Sequence, residues 1–313
     1  MTQIFICCRP GNTYMLLDIT LSCISNIKEW ICLIRLKLNP AKTESLWCTT
    51  HRRLHLIDEI QFTIGNVTIQ PATSVRNLGV LMDLDLSLRS HITRLTWTCF
   101  RALQQARAIS RSLTTDASRM LVSTAVLSRI DYFSCIFAGL PDFSLNRLQQ
   151  VMNAWATVIY CLRQYDHISD VLQDLHWLWV PQCIEFKLCL TVYKTLHNLA
   201  QSYLAEPCIP VTAVAARRLL RSSPAGNLVV PNSRSEFGKR AFIFAGPHVW
   251  NNLPQMIKSS TSVAVFKKQL KTSFQTMLQT LLILIFLFTF ICIILLCNCK
   301  VPLRYFRICC GAI

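Results

Sequence analysis

Apolar residues recur at every third or fourth position through much of residues 87–196, and this spacing constrains the fold of the 313-residue chain more than any other feature. Positions separated in this way lie on one face of an α-helix, which can then pack on a core. The pattern predicts four helices: one that begins at Ser87, and others over 114–138, 145–162 and 181–196. The third has the longest apolar stripe, formed by Leu145, Leu148, Met152, Trp155, Ile159 and Leu162.

The residues before Ser87 have a mixed pattern. Tyr14–Leu36 has helical spacing, whereas Phe62–Ile69 indicates a hairpin, because β-branched residues flank a Gly-Asn pair that tolerates positive φ. A strand at Val75–Met82 would complete a small sheet, so the expected fold class is α+β. Further short strands are predicted at 1–10, 43–50, 227–230 and 241–244.

Positive charge is concentrated toward the C-terminus. The chain has 32 Lys and Arg against 16 Asp and Glu, a net charge of +16, and no acid follows Glu236. Between Val211 and Thr272 that glutamate is accompanied by ten bases: Arg217, Arg218, Arg221, Arg234, Lys239, Arg240, Lys258, Lys267, Lys268 and Lys271. Such a cluster attracts phosphates through counterion release. A solvated surface without a partner is the alternative interpretation.

Several kinds of catalytic and metal site have no signature in the sequence. Neither GxGxxG, GxxxxGK[ST], GxSxG nor HExxH occurs, and the 16 cysteines form no paired CxxC motif. The nearest carboxylates with a ligand spacing are Asp83 and Asp85, which could chelate magnesium or simply be charges on an edge strand. We therefore expect no cofactor and no small-molecule substrate.

Residues 281–297 form a run in which sixteen of seventeen residues are apolar and none is charged. As a helix it would be roughly 26 Å long, near the lower limit for a membrane span. A candidate transmembrane segment is thus expected at 278–299, with most of the chain in the cytosol and a short tail at 300–313. Lysines and arginines flank both sides of the run, so its orientation is not determined.

A series of short motifs runs in order through about residues 2–275. The early motifs are Thr2–Phe5, Ile24–Trp30, Leu38–Glu44 and Ser74–Val80. The middle motifs are Ser128–Tyr132, Ala138–Pro141, Leu148–Val151, His176–Leu178, Phe186–Lys187 and Lys194–His197. The last are Arg218–Ser223, Pro247–Pro254 and Ser262–Lys271. Together they resemble the reverse transcriptases of non-LTR (LINE-type, jockey-like) retrotransposons.

The resemblance implies a particular domain organisation. It consists of a palm remnant with a primer-grip-like strand over 1–86, a helical thumb over 87–205 and a basic C-terminal region over 206–275. Three residues stand at positions of the family's motifs: Lys42, near the leaving pyrophosphate of such polymerases, Gly79 in the primer-grip strand, and Trp250. Here Lys42 is interpreted as an ordinary surface lysine, and Trp250 as a core residue more readily than a base-stacking one.

Departures from the family argue against polymerase activity. The catalytic Tyr-Ala-Asp-Asp of the family would lie just before Thr2, where this chain has Met1, and no other [Tyr/Phe]-x-Asp-Asp occurs. Two-metal phosphoryl transfer requires those carboxylates. Trp179 and Cys183 replace the usual Pro and Arg, and Gly246 replaces a frequent Ala. These changes are expected of a truncated or decayed copy, so we expect no enzyme.

Three interpretations of function remain open from the sequence. The first is a truncated, inactive reverse-transcriptase derivative that binds RNA or an RNA/DNA hybrid through phosphate contacts. The candidate contact residues are Arg217, Arg218, Arg221, Arg234, Lys239 and Arg240. The second is a tail-anchored membrane protein whose basic region lies on an anionic lipid bilayer. The third is a reading frame without a functional product. The expected location is the membrane through 281–297, and otherwise the cytoplasm or nucleus.

Overall fold

The computed structural model describes residues 13–37, 39, 43–46, 48, 62–64, 67–109, 112, 114–160, 162, 168–214, 226–233 and 236–276. The chain divides into two compact units. Unit 1 comprises Met1–Phe133 and Leu140–Leu162, and unit 2 comprises Ser134–Gly139 and Arg163–Ile313.

Unit 1 contains two hairpins and five α-helices in the part of the chain that is described. The antiparallel hairpins pair β1 (Phe62–Ile64) with β2 (Val67–Ile69) and β3 (Ser74–Asn77) with β4 (Val80–Asp83). The helices are α1 (Thr13–Leu33), α2 (Arg89–Ile109), α3 (Thr115–Val122), α4 (Ser128–Asp131) and α5 (Asp142–Tyr160). A π-helical turn, Ser123–Leu127, joins α3 to α4.

The core of unit 1 lies between α2 and α5. The apolar stripe of α5 is buried as its spacing predicts, and Leu148, Val151 and Trp155 have almost no exposed surface. The facing stripe of α2 contributes Cys99 and Leu103. Burial raises the pKa of the Cys99 thiol to about 11, which keeps it neutral in this apolar setting.

Unit 2 is helical in the residues described. Its α-helices are α6 (Ile168–Asp174), α7 (Val180–Leu196), α8 (Glu236–Arg240), α9 (Phe242–Asn251), α10 (Gln255–Lys258) and α11, described over 263–276. Short 3-10 turns occur at Ser134–Phe137, Ser202–Leu204 and Val211–Ala213.

The core of unit 2 is formed by α7, α9 and α11. The Tyr193 ring of α7 stacks on Phe266 of α11 with 4.2 Å between ring centroids, and its hydroxyl donates to the Ser260 carbonyl at 2.8 Å. Glycine at position 246 lets α9 approach α7 closely. A Cβ atom there would lie 3.0 Å from Phe242 Cε2 and 3.2 Å from Val192 Cγ2. Alanine, the residue frequent in the resembling family, would require these side chains to move.

The predicted α+β fold class is wrong. The described residues are mainly helical, and their strands form two separate two-stranded hairpins without a palm-like sheet. Predicted strand 75–82 folds back on itself, because Leu78 and Gly79 have positive φ, as in the two-residue turn of a hairpin. Predicted strand 241–244 lies at the start of α9, since a run that is apolar at every position cannot distinguish strand from helix.

The other predicted elements have mixed outcomes. Helices α1, α2, α5 and α7 and the hairpin of β1 and β2 are confirmed. The predicted helix 114–138 is interrupted, because Phe133 has a φ of 56° and separates α4 from the turn that begins at Ser134. Residue Ser45 forms only an isolated bridge with Pro71, and predicted strand 1–10 lies outside the described residues.

The predicted membrane location is also corrected. Among the residues that the structure describes, no helix combines the length and the apolar character that crossing a bilayer requires. The run 281–297 itself lies outside these residues. The helix that precedes it, α11, is amphipathic rather than apolar on all sides, because Phe266 and Leu270 are buried while Lys267 and Lys268 are exposed.

Candidate nucleic-acid interface

Two of the six predicted phosphate contacts lie in the described part of the chain. Arg217, Arg218, Arg221 and Arg234 lie outside it, whereas Lys239 and Arg240 end helix α8. The Lys239 amine donates to Glu236 Oε1 at 2.7 Å, and 44% of its side chain is exposed. An exposed pair of this kind contributes little to stability, so a phosphate can compete with Glu236 for the lysine.

Arg240 has a packing role. A Cβ atom on Gly139 would lie 3.0 Å from Arg240 Cγ, so the aliphatic stem of the arginine lies directly on this glycine. Gly139 has a φ of 67°, a conformation that side chains with a Cβ atom rarely adopt. The two residues therefore fit one another, and Arg240 is only partly available to a ligand.

The segments on either side of residues 215–225 are hydrogen-bonded to one another. The Val211 N–H donates to the Asn227 carbonyl at 3.0 Å, and the Val229 N–H donates to the Ile209 carbonyl at 2.8 Å. An antiparallel bridge joins Pro210 to Leu228 between them. The stretch that contains Arg217, Arg218 and Arg221 thus begins and ends at one place on unit 2.

Helix α9 holds the second of these segments. Asn251 accepts a hydrogen bond from the Leu228 N–H at 2.8 Å and donates to the Leu228 carbonyl at 2.9 Å, and so acts like a strand partner. Trp250 Nε1 donates to the Gly226 carbonyl at 3.0 Å. With 2% of its surface exposed, Trp250 belongs to the core and cannot stack on a base.

Lys258 completes this contact from α10. Its amine donates to Asn227 Oδ1 at 2.8 Å and to the Asn251 carbonyl at 3.1 Å, beside a cavity of about 230 Å³. Burial lowers the pKa of the lysine. Both acceptors are neutral, so Lys258 stabilises the fold here and is not presented to solvent like the lysines of α11.

The other two positions of the family's motifs, Lys42 and Gly79, are an undescribed residue and a turn residue respectively. Lys42 is among the residues that the structure does not describe. Gly79 has a φ of 91° in the turn between β3 and β4. The Tyr132 hydroxyl donates to the Leu78 carbonyl at 2.9 Å and so fixes this turn.

Asp83 caps the start of α2, and Asp85 fixes the turn just before it. The Ser90 N–H donates to Asp83 Oδ2 at 3.3 Å, and the Ser87 N–H donates to Asp85 Oδ1 at 3.1 Å. Burial raises the pKa of Asp85, but the hydrogen bonds from the backbone and side chain of Ser87, with smaller contributions from the Asp85 backbone and the Arg89 charge, together lower it. Across the described ranges no group of three or more His, Cys, Asp or Glu side chains is placed to hold a metal ion. The structure thus gives this pair a role at the helix N-terminus.

His91, next to these caps, should make stability depend on pH. Its Nδ1 accepts the Leu81 N–H at 3.4 Å, which requires that nitrogen to be unprotonated. Burial lowers the pKa of His91 from its usual 6.5, Asp83 opposes this shift and Arg94 adds to it. As the pH falls below 6.5, the unfolded imidazole binds a proton before the folded one, so the free energy of unfolding should decrease.

The measurement is denaturant unfolding between about pH 7.5 and pH 5, in the range where histidine titrates. Asparagine at position 91 keeps an acceptor near the position of Nδ1 but does not titrate. His91→Asn should therefore show a smaller decrease in unfolding free energy across this range than the parent chain. An equal decrease in both proteins would assign the effect to another group.

Sequence reasoning missed one charged surface, which lies on α2. Residues 86–115 contain five arginines and no acid, and α2 exposes Arg94, Trp97 and Arg101 on its outer face. The signal was present as arginines at helical spacing with a tryptophan between them.

Comparison with known proteins identifies no relative of this chain. No protein-family model, curated protein or solved structure matches the chain. A function can therefore be inferred only from the residues of the chain and from their placement.

Proposed function

We propose that the chain is derived from a LINE-type reverse transcriptase, does not polymerise nucleotides, and binds RNA or an RNA/DNA hybrid through its phosphates. The ordered motifs over residues 2–275 support the origin. Residues 1–313 contain no [Tyr/Phe]-x-Asp-Asp, the motif whose carboxylates bind the metal ions of such polymerases, and this supports the absence of polymerisation by the chain itself.

The observation that carries the binding proposal is the one-sided charge of unit 2. From Phe237 to Thr276 there are six bases and no acid. Helix α11 turns Lys267 and Lys268 to solvent while its opposite face is buried, so the fold presents these charges outward. Among the residues described, neither lysine has an ion-pair partner, so a phosphate backbone can take the place of the salt counterions around them.

The test is binding of the full chain to labelled single-stranded RNA of two unrelated sequences at several salt concentrations. About six phosphate contacts imply a log–log salt slope on the order of −4, with similar affinity for both sequences. Replacing Arg217, Arg218 and Arg221 by glutamine should weaken binding to both RNAs and make the slope shallower. Replacing Lys267, Lys268 and Lys271 by glutamine should have the same effect.

A matched control removes three charges elsewhere. Lys28, Arg35 and Lys37 are exposed on and after α1, with Glu29 beside them. Their replacement by glutamine should leave affinity and slope nearly unchanged if binding is localised. A slope near zero, or equal losses in all three variants, would count against the proposal.

In primer extension on an RNA template with magnesium, incorporation should not exceed that of a protein-free sample.

A further inference from the structure

The outer face of α2 combines arginines with an exposed aromatic ring. Arg94, Trp97 and Arg101 follow one another at three- and four-residue spacing, so they lie along one side of the helix. Trp97 remains 61% exposed, whereas the opposite side of α2 is buried against the core of unit 1. The indole of Trp97 is therefore open to a planar ligand from solvent, with an arginine one helical turn away on each side.

The ring and the arginines are held in a defined arrangement. The Arg101 guanidinium lies 5.4 Å from the Trp97 ring centroid, within the range of a cation–π contact. Arg147 reaches over from α5, and its Nη1 donates to Thr93 Oγ1 at 3.1 Å. Thr93 precedes Trp97 by one helical turn, so Arg147 adds a third positive charge to the same face.

These charges are not neutralised by neighbouring acids. Neither Arg94 nor Arg101 has an ion-pair partner among the residues described, and 86–115 contains no acid. Arg119 offers a contrast in the same unit. It also lies over an aromatic ring, that of Tyr160 at 5.9 Å, but Asp116 pairs with it at 3.8 Å.

We propose that this face binds single-stranded nucleic acid, with an unpaired base stacked on Trp97 and flanking phosphates on Arg94, Arg101 and Arg147. The inference rests on the proposed nucleic-acid binding and adds to it a second location and a preference for single strands. An indole attracts any base, because every base has a π-face, while the arginines attract the backbone. In a duplex, by contrast, each base is already covered on both faces by its neighbours.

The size of the effect can be estimated from stacking in other proteins. One base stacked on an aromatic side chain contributes about 5- to 150-fold in affinity. Trp97→Leu should therefore weaken binding of a short oligothymidylate within this range, and Trp97→Phe, which keeps a π-face, should weaken it less. Arg101→Gln should also reduce affinity, because it removes both a charge and the cation–π contact.

The experiment compares a labelled oligothymidylate with a DNA duplex of matched length, using the full chain. Two controls share the chemistry but not the location: Trp30→Leu, at a tryptophan that is 59% exposed on α1, and Arg119→Gln. Both should bind like the parent chain. Because Trp97 is exposed, its variants should fold normally, which far-ultraviolet circular dichroism verifies.

The outcomes separate this inference from the proposed function. Selective loss of single-strand affinity in Trp97→Leu, with partial recovery in Trp97→Phe, supports the inference. If the parent chain binds the strand and the duplex alike, and Trp97→Leu changes neither, the inference fails while the proposed nucleic-acid binding stands. If the parent chain binds neither these probes nor the single-stranded RNAs of the salt titration, both fail.

Discussion

Trp250→Ala is expected to lower the free energy of unfolding by about 3–5 kcal/mol. The indole has 2% of its surface exposed, and its ring lies 6.0 Å from that of Phe266. Its loss would leave a void between α9 and α11 and would also remove the hydrogen bond to the Gly226 carbonyl. Denaturant unfolding, followed by circular dichroism, measures the change.

Trp30→Ala is the matched control for this substitution. Trp30 lies on α1 with 59% of its surface exposed, so its removal should change stability by no more than about 0.5 kcal/mol. Equal and small effects of the two substitutions would mean that Trp250 does not fill the core of unit 2. A large effect in both would place Trp30 against a neighbour outside the described residues.

Asn251→Ala is expected to destabilise the chain by about 2–4 kcal/mol, because each buried backbone group left without a partner costs about 1–3 kcal/mol. Asn251 satisfies both the N–H and the carbonyl of Leu228, whose side chain is 2% exposed in the same core. The loss should appear as a lower denaturant midpoint. Amide hydrogen exchange at Leu228 should also become faster, since its N–H loses its acceptor.

Asn252→Ala provides an internal comparison for this prediction. Asn252 is the exposed residue directly after the end of α9, so alanine there should have little effect on stability. If both alanine variants unfold at the same denaturant concentration as the parent chain, the hydrogen bonds from Asn251 do not hold the segment at Leu228.

The long helices could be predicted because each has one apolar face and one polar face. The stripe of α5 alternates with polar residues at the helical period, and no other regular structure buries Leu148, Val151 and Trp155 together. The segment at 241–244 lacks this contrast, since every position is apolar, and so its assignment as a strand was wrong. The sheet was overestimated because strand pairing depends on distant partners that propensity does not specify.

The candidate interface was only partly predictable. Counting bases located the charge of unit 2, but the sequence does not show that the Arg240 stem packs on Gly139 or that Lys258 is tied to Asn227 and Asn251. Whether Trp97 and its neighbouring arginines are exposed depends on which side of α2 packs against α5. The sequence of α2 alone does not show which of its sides this is.

The hydrogen-bonded segments at 209–211 and 227–229 bring the two ends of the arginine-rich stretch 215–225 together. For a connection with fixed ends, the entropic cost grows only with the logarithm of its length and increases by about 0.6 kcal/mol for each doubling. Codons can therefore be gained or lost within this stretch while Trp250 and Asn251 keep their contacts. Under the proposed function, the number of arginines offered to a phosphate backbone can therefore change over generations without changing whether the protein folds.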